Sequence, residues 1–400
     1  MSDTYGFNLI SQDLLAGFGA VGEGMSMQVT RGRRILWLAH EGPPKNFTGV
    51  DVSDPRNAQA VVQTDLPHNK VRSNSLEVCG DLMAVAYQTV EPGMTPAGIE
   101  LFDISSPESP RSVGFFDCSG PYSRGVHCLW FVDGRYIHFA GGAADFQPHN
   151  QKDDQIYRII DVADPARPVE VGRWWQQGTR VGDDAPPPER LPIDAGFRAH
   201  NTNVYPERPD RAYVGYLDGG VYVLDIADMS RPRLVSAWNP HPPYPGFTHT
   251  VLPLFSRDLL IVSDECVRDE GKDWPKLTWV VDARRETNLV PIATLPLPPV
   301  DVYGRRGGRY GSHNLHENRP GEASFKSDTL IFGTYFNGGV RVHDISNPLQ
   351  PKEVAAFVPP APAGSRVPAV QINDVFVDEN MLVYAGERQK GGLYILEPTF

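Results

Sequence analysis

Four of the eleven histidines in this 400-residue chain stand in short polar settings of similar make: His127 in RGVHCL, His200 in FRAHNT, His249 in GFTHTV and His313 in YGSHNL. Four imidazoles brought to one point bind a divalent transition metal. Neutral imidazole suits Zn, Cu, Fe and Ni, and geometry rather than raw affinity selects among them. Each ligand ring needs an acceptor for its second N–H. Among the carboxylates, Glu41, Glu265 and Glu387 end strand-like runs and are the candidates for orienting the histidines or acting as general base; Asp218 and Asp264 fall at similar places. His316, three residues after His313, is an alternative ligand.

These positions mean something only if the chain brings them together, and a repeat supplies the reason. GGVRVHDISNPLQPKEVAAFV, from Gly338, reads as a short alternating strand, a polar turn and a second strand. Related units begin at Thr48, Ala97, Tyr157, Gly219 and Leu277, and a last half-unit at Gly391. The acidic residue closing the first strand of each marks the register: Asp51, Asp103, Asp161, Asp225, Asp282, Asp344 and Glu397. A recurrence every 50 to 65 residues or so indicates a propeller or solenoid. Seven such units predict an all-β fold, a seven-bladed β-propeller of four-stranded blades, with the recurrent unit as strands C and D.

The expected layout is a single domain over 1–400. Blades one to seven cover 21–66, 67–118, 119–177, 196–240, 241–297, 309–360 and 366–400. Residues 178–195 and 298–308 form long inter-blade loops. The seventh unit runs out of chain after strand C, and an unpaired edge there would be an aggregation hazard. Residues 1–20 therefore serve as the closing strand of blade seven, and Ser11–Gly19 resembles the other D strands. Strand direction alternates, so loops 89–97, 143–155, 176–197, 266–276 and 297–310 open on one face. The four histidines begin the inner strands of blades three to six at that same face. The corresponding places in the other blades fall near Ser26, Asn74 and Asn373. Long loops gathered on one face are where binding and chemistry sit. Trp274, Tyr303 and Tyr310 on those loops are placed to cover a small, partly apolar organic substrate.

Composition excludes several classes. The net charge is −12, with no Lys/Arg block, so nucleic acid and anionic membrane are poor partners. No apolar run has the length of a bilayer span or a signal core, and Cys79, Cys118, Cys128 and Cys266 lack metal or paired spacing. Free thiols and a cytoplasmic location are expected. No nucleophile elbow, Walker loop, dinucleotide fingerprint or H-E-x-x-H motif occurs, and GRRGGRYG at Gly304 follows no parallel strand.

The repeat wording resembles the LVIVD repeat. A seven-bladed propeller with four axial histidines also looks like the carotenoid-cleavage oxygenases and, more loosely, like selenium-binding protein and methanethiol oxidase. Only the four histidine positions carry that second resemblance. It implies a non-haem metal enzyme of oxygenase or oxidase type, with iron favoured and manganese, copper or zinc as alternatives. A Lewis-acid hydrolase or lyase would use the same site. Two further readings stand beside these: histidines that tie blades together as in WD-type propellers, and a non-catalytic propeller that binds a protein.

Overall fold

The computed structural model describes residues 3–400; residues 1 and 2 of the expected closing segment lie outside them. Seven antiparallel sheets follow one another around a ring. Blade one is Val21–Thr30, Arg33–His40, Lys45–Asp51 and Gln59–Asp65, in order from the axis outward. Blades two to five repeat the pattern, with inner strands Leu76–Cys79, Val126–Trp130, Thr202–Tyr205 and Thr248–Leu254. Blade six has three regular strands, Leu330–Thr334, Val340–Asp344 and Lys352–Phe357. Its inner segment keeps single ladder bonds, among them His313 N–H to the Thr334 carbonyl at 3.0 Å and His316 N–H to that of Phe332 at 2.9 Å.

The acidic register residues act alike. The Oδ1 atoms of Asp51, Asp103, Asp161, Asp225, Asp282 and Asp344 each accept the backbone N–H two residues on, at 2.7–3.0 Å. This Asx turn ends strand C and aims the chain back as strand D. Every C–D pair then carries a register shift.

Blade seven consists of Ile372–Val377, Val383–Glu387, Gly392–Pro398 and, as its outer strand, Phe7–Asp13. The N-terminus thus closes the ring, as the incomplete last unit requires. The closing strand lies earlier than Ser11–Gly19. Asp13 Oδ1 accepts Leu15 N–H at 2.6 Å and stops it, and Leu15 and Ala16 take positive φ in a short 3-10 turn. Leu15 is then buried with Leu38, Val50 and Leu393, between blades seven and one. The wide blades pack side by side over Val, Ile, Leu and aromatic residues, which form the core. The four cysteines are free, and no helix is long and apolar enough to cross a membrane, both among the described residues.

One loop departs from the pattern. After His316 the chain of blade six runs beneath the channel. Glu317 accepts Asn201 Nδ2 at 2.7 Å and Asn203 Nδ2 at 2.8 Å, and its carbonyl accepts the Tyr205 hydroxyl at 2.9 Å. Arg319 lies 5.3 Å over the Trp130 ring and pairs with Glu77. Blades two, three and four are therefore stapled to blade six across the axis. Above this staple only about 20 Å³ of open space remains, bounded by Glu23, Cys128, Asn201, Glu317 and Asp374.

Candidate metal centre

The inner strands aim the histidines by breaking register. The A–B pair of blade three shifts between Val126 and Cys128, and that of blade five between Thr248 and Thr250. His127 and His249 are the residues stepped over. A β-bulge of this kind re-aims one side chain while its neighbours stay paired. His200 precedes its strand, and His313 opens the irregular inner segment of blade six. All four rings are buried and meet on the axis. Successive ring centroids are 4.4 Å (His127–His200), 3.9 Å (His200–His249) and 4.7 Å (His249–His313) apart.

The far side of each ring decides what its near side offers. His127 Nδ1 faces Gln88 Oε1 at 3.0 Å, and that oxygen also accepts two guanidinium N–H groups of Arg72. His200 Nδ1 faces Asn201 Oδ1 at 2.8 Å, and Asn201 spends its NH₂ on Glu317. His313 Nδ1 faces the Asn373 backbone carbonyl at 2.8 Å. For His200 and His313 the only facing group is an oxygen, so Nδ1 carries a proton; His127 Nδ1 also faces the donor-only Arg72 Nη2 at 3.3 Å, a setting that suits either tautomer. His249 Nδ1 meets the Thr250 hydroxyl at 2.8 Å, which accepts either tautomer.

The Nε2 atoms face one another. Those of His127 and His200 are 2.8 Å apart, a distance at which a proton on His127 Nε2 is donated to His200 Nε2. His249 Nε2 and His313 Nε2 are buried without a hydrogen-bond partner, and so is one oxygen of Glu23. Glu23 lies 3.7 Å from His127 Nε2, 3.8 Å from His200 Nε2, 3.8 Å from His249 Nε2 and 3.6 Å from His313 Nε2. Ligands on bonds of about 2.1 Å lie about 3 Å apart at right angles and about 3.4 Å apart at the tetrahedral angle. Ligand atoms of Glu23, His249 and His313, of Glu23, His127 and His200, and of His200, His249 and Glu265 lie within 4.8 Å of one another, so the centre is a set of overlapping groups of three, each able to hold an ion.

Glu23 is the residue that sequence reasoning missed. Blade one begins at Val21, as expected, but its mouth position lies upstream of Ser26, because its A–B pair shifts register between Val21 and Met25. Gly22 and Gly24 let that bulge press on blade two: a Cβ on Gly24 would stand 2.3 Å from Leu76 N, and one on Gly22 2.9 Å from the Asn74 carbonyl. The bulge turns Glu23 inward. Ser26, deeper in the channel, bonds Glu77 instead, at 3.4 Å. The visible signal was a glutamate between two glycines at the start of an inner strand.

The three carboxylates singled out from the sequence part company. Glu265 is at the centre, with Oε1 3.6 Å from His313 Nε2 and 2.7 Å from Arg309 Nη1. Glu41 stands at the mouth, where one oxygen takes Arg72 at 3.2 Å and Arg388 at 2.5 Å. Glu387 is not brought in. Its two oxygens accept the backbone N–H groups of Gln371, Gln389, Lys390 and Gly391 at 2.7–3.0 Å and hold a turn. His316 points away, its Nε2 2.8 Å from the Phe325 carbonyl. Trp274, Tyr310 and Tyr303 stack on one another at 5.6 Å spacings and bind the long loops together.

Charge follows the same geometry. Burial alone would raise the Glu23 carboxyl, but His249 and His313 hold it well below the usual range. Burial and then His249 push His200 down to about 3. Burial also acts to lower His313, yet Glu265 and Glu23 outweigh it and carry this ring above the ordinary imidazole value.

Comparison with known proteins agrees with this architecture. The LVIVD repeat matches residues 210–239, the hairpin of blade four. No curated protein matches the chain. Among solved structures, the β-propeller domain of Cps50 (Swd1) from Myceliophteria thermophila superposes with a TM-score of 0.60. The alignment covers 98% of this chain and 100% of that one at 13% identity, a likeness of fold alone. The chain is a seven-bladed β-propeller bearing an LVIVD repeat, with residue groups able to hold a metal ion on its axis.

Proposed function

We propose that this propeller is a metal-dependent enzyme whose ion is held by His127, His200, His249 and His313, with Glu23 as a carboxylate ligand from blade one. The observation that carries the reading is the cluster of buried imidazole Nε2 atoms around the Glu23 carboxylate, in which His249 Nε2, His313 Nε2 and one Glu23 oxygen have no hydrogen-bond partner. Unpaired buried polar atoms cost free energy, and a cation among them would satisfy them. A nitrogen-rich set with one or two carboxylates suits iron, manganese, copper or zinc. A redox metal in this setting supplies activation of dioxygen or one-electron chemistry, and we favour an oxidoreductase acting on a small organic substrate.

The protein residues have separable tasks in this reading. Gln88, Asn201 and the Asn373 carbonyl hold the rings. Glu265, tied to Arg309, is positioned to hold or accept a proton beside His313. The staple below the axis keeps bulk water from the rear, so substrate approaches from the long-loop face.

Elemental analysis of the purified protein tests this. Near-stoichiometric metal is expected, falling by a large factor in each of His127→Ala, His200→Ala, His249→Ala and His313→Ala. Melting temperature should change little, because propeller stability is spread over its blades. Surface controls His68→Ala and His149→Ala should keep full metal. Four axial variants that retain wild-type metal would falsify the site. Dioxygen uptake in the presence of substrate separates oxidase chemistry from Lewis-acid hydrolysis.

A further inference from the structure

The metal reading leaves the substrate open, and the mouth of the channel narrows it. Four arginines surround the centre in a chain of net charge −12. Arg72 Nη2 is 3.3 Å from His127 Nδ1. Arg309 and Arg388 lie 5.3 Å and 5.6 Å over the ring of Phe336, and that ring stacks 4.6 Å from His313. Arg72 and Arg198 both press on His127 electrostatically. Facing these are the carboxylates of Glu23, Glu41 and Glu265. Arg198 is balanced on its own side by Asp154, Asp218 and Asp153.

The guanidiniums are incompletely used. Arg388 Nη1 and Arg198 Nε are buried without a hydrogen-bond partner, as is the second oxygen of Glu41. Arg72 and Arg388, from blades two and seven, both point at the other oxygen of Glu41. One N–H of each, Arg72 Nη1 and Arg388 Nη2, meets that oxygen, and two guanidiniums sharing one acceptor form a receptor for an oxyanion. A cavity of about 380 Å³ opens on the Arg72 side of Glu41, lined by Glu41, Asn69, Arg72, Gln88, Thr89 and Arg124, with Arg388 outside its walls. That is large enough for a small organic molecule.

Resting on the metal reading for its position but not for its chemistry, we propose that the substrate is a small organic oxyanion. Its carboxylate or phosphate binds Arg72 and Arg388 in place of Glu41, and its remainder reaches toward the axis. Glu41 is then the placeholder that keeps the two arginines paired while the mouth is empty of substrate. Arg309 stays with Glu265 and serves the proton side of the site.

Calorimetric titration of the full-length protein with benzoate, methyl phosphate and the neutral isostere benzamide tests this, beside metal analysis of every sample. Wild type should bind one or both anions and not the amide; the stronger of the two identifies carboxylate or phosphate. Arg388→Gln should weaken that anion at least tenfold with metal content unchanged. Arg72→Lys, which keeps charge but loses the Nη1 donor, should weaken it by a smaller factor. Glu41→Gln should tighten it. Equal binding of benzamide, or anion binding indifferent to both arginine changes, overturns the proposal. Arginine-dependent anion binding in a protein that holds no metal would sink the metalloenzyme and leave the oxyanion site standing.

Discussion

The amide of Asn201 has two neighbours with opposite demands. Glu317 takes its NH₂, and His200 needs an acceptor, so the carbonyl is committed to the histidine. That one commitment sets the His200 tautomer and frees its Nε2. Asn201→Leu keeps the volume and removes the acceptor. Metal affinity should fall by about 10–100-fold, measured by competition with a chromophoric chelator, while Asn203 still engages Glu317. Unchanged affinity would mean that the ring is oriented by packing alone. At this scale the sequence disclosed the four histidines because they share a repeat position. It hid Glu23, whose place depends on a bulge marked in the sequence only by the two glycines that flank it. Glu41 and Glu387 looked alike, as acids ending second strands. Only three-dimensional context shows one facing arginines and the other filled by backbone N–H groups.

Among elements, the repeat itself was the most legible feature. The Asp that ends each strand C is both the sequence landmark and the physical cause of the turn. The closing strand was legible as a necessity and less so in its register. SQDLLAGFG has the look of a D strand, but Asp13 caps the turn, and the pairing lies over Phe7–Asp13. Gly392 fixes that register from the other side: its φ is +68°, and a Cβ there would stand 2.1 Å from the Asp13 carbonyl. Deleting residues 1–14 should leave the Gly392–Pro398 edge bare and give aggregated or strongly destabilised protein. The soluble fraction and melting curve report this. A truncated protein that melts like the full chain would show that blade seven tolerates an open edge.

Over the whole molecule, buried titratable groups set the response to pH. Burial holds His40, His138, His316 and His343 down to about 4. These folded values lie below the unfolded one, so the folded protein binds fewer protons. Their contribution is complete above about pH 6.5 and is lost as pH falls toward 4. Burial raises Glu317 and Asp374 to about 7, which acts in the other sense: stability is gained as pH falls through 7. Burial also raises Asp264, to about 6; four imidazoles still outweigh three carboxyls, so stability should fall by on the order of a few kcal/mol between pH 6.5 and 4.5, and the melting temperature with it. Glu317→Gln removes one opposing group and should steepen the loss. A melting temperature that holds or rises over that interval would count against the assignment of buried neutral histidines.

The staple of Glu317 and Arg319 bears on time as well as on space. It joins blade six to blades two, three and four, so it forms only after most of the ring exists. Glu23 and His313 likewise come from opposite ends of the chain and meet only when the disc is complete. Once the rear is shut, the long-loop mouth is the route left to the axis. An ion of the proposed kind would then load through the same opening as substrate, and an occupant of the mouth would slow its exchange.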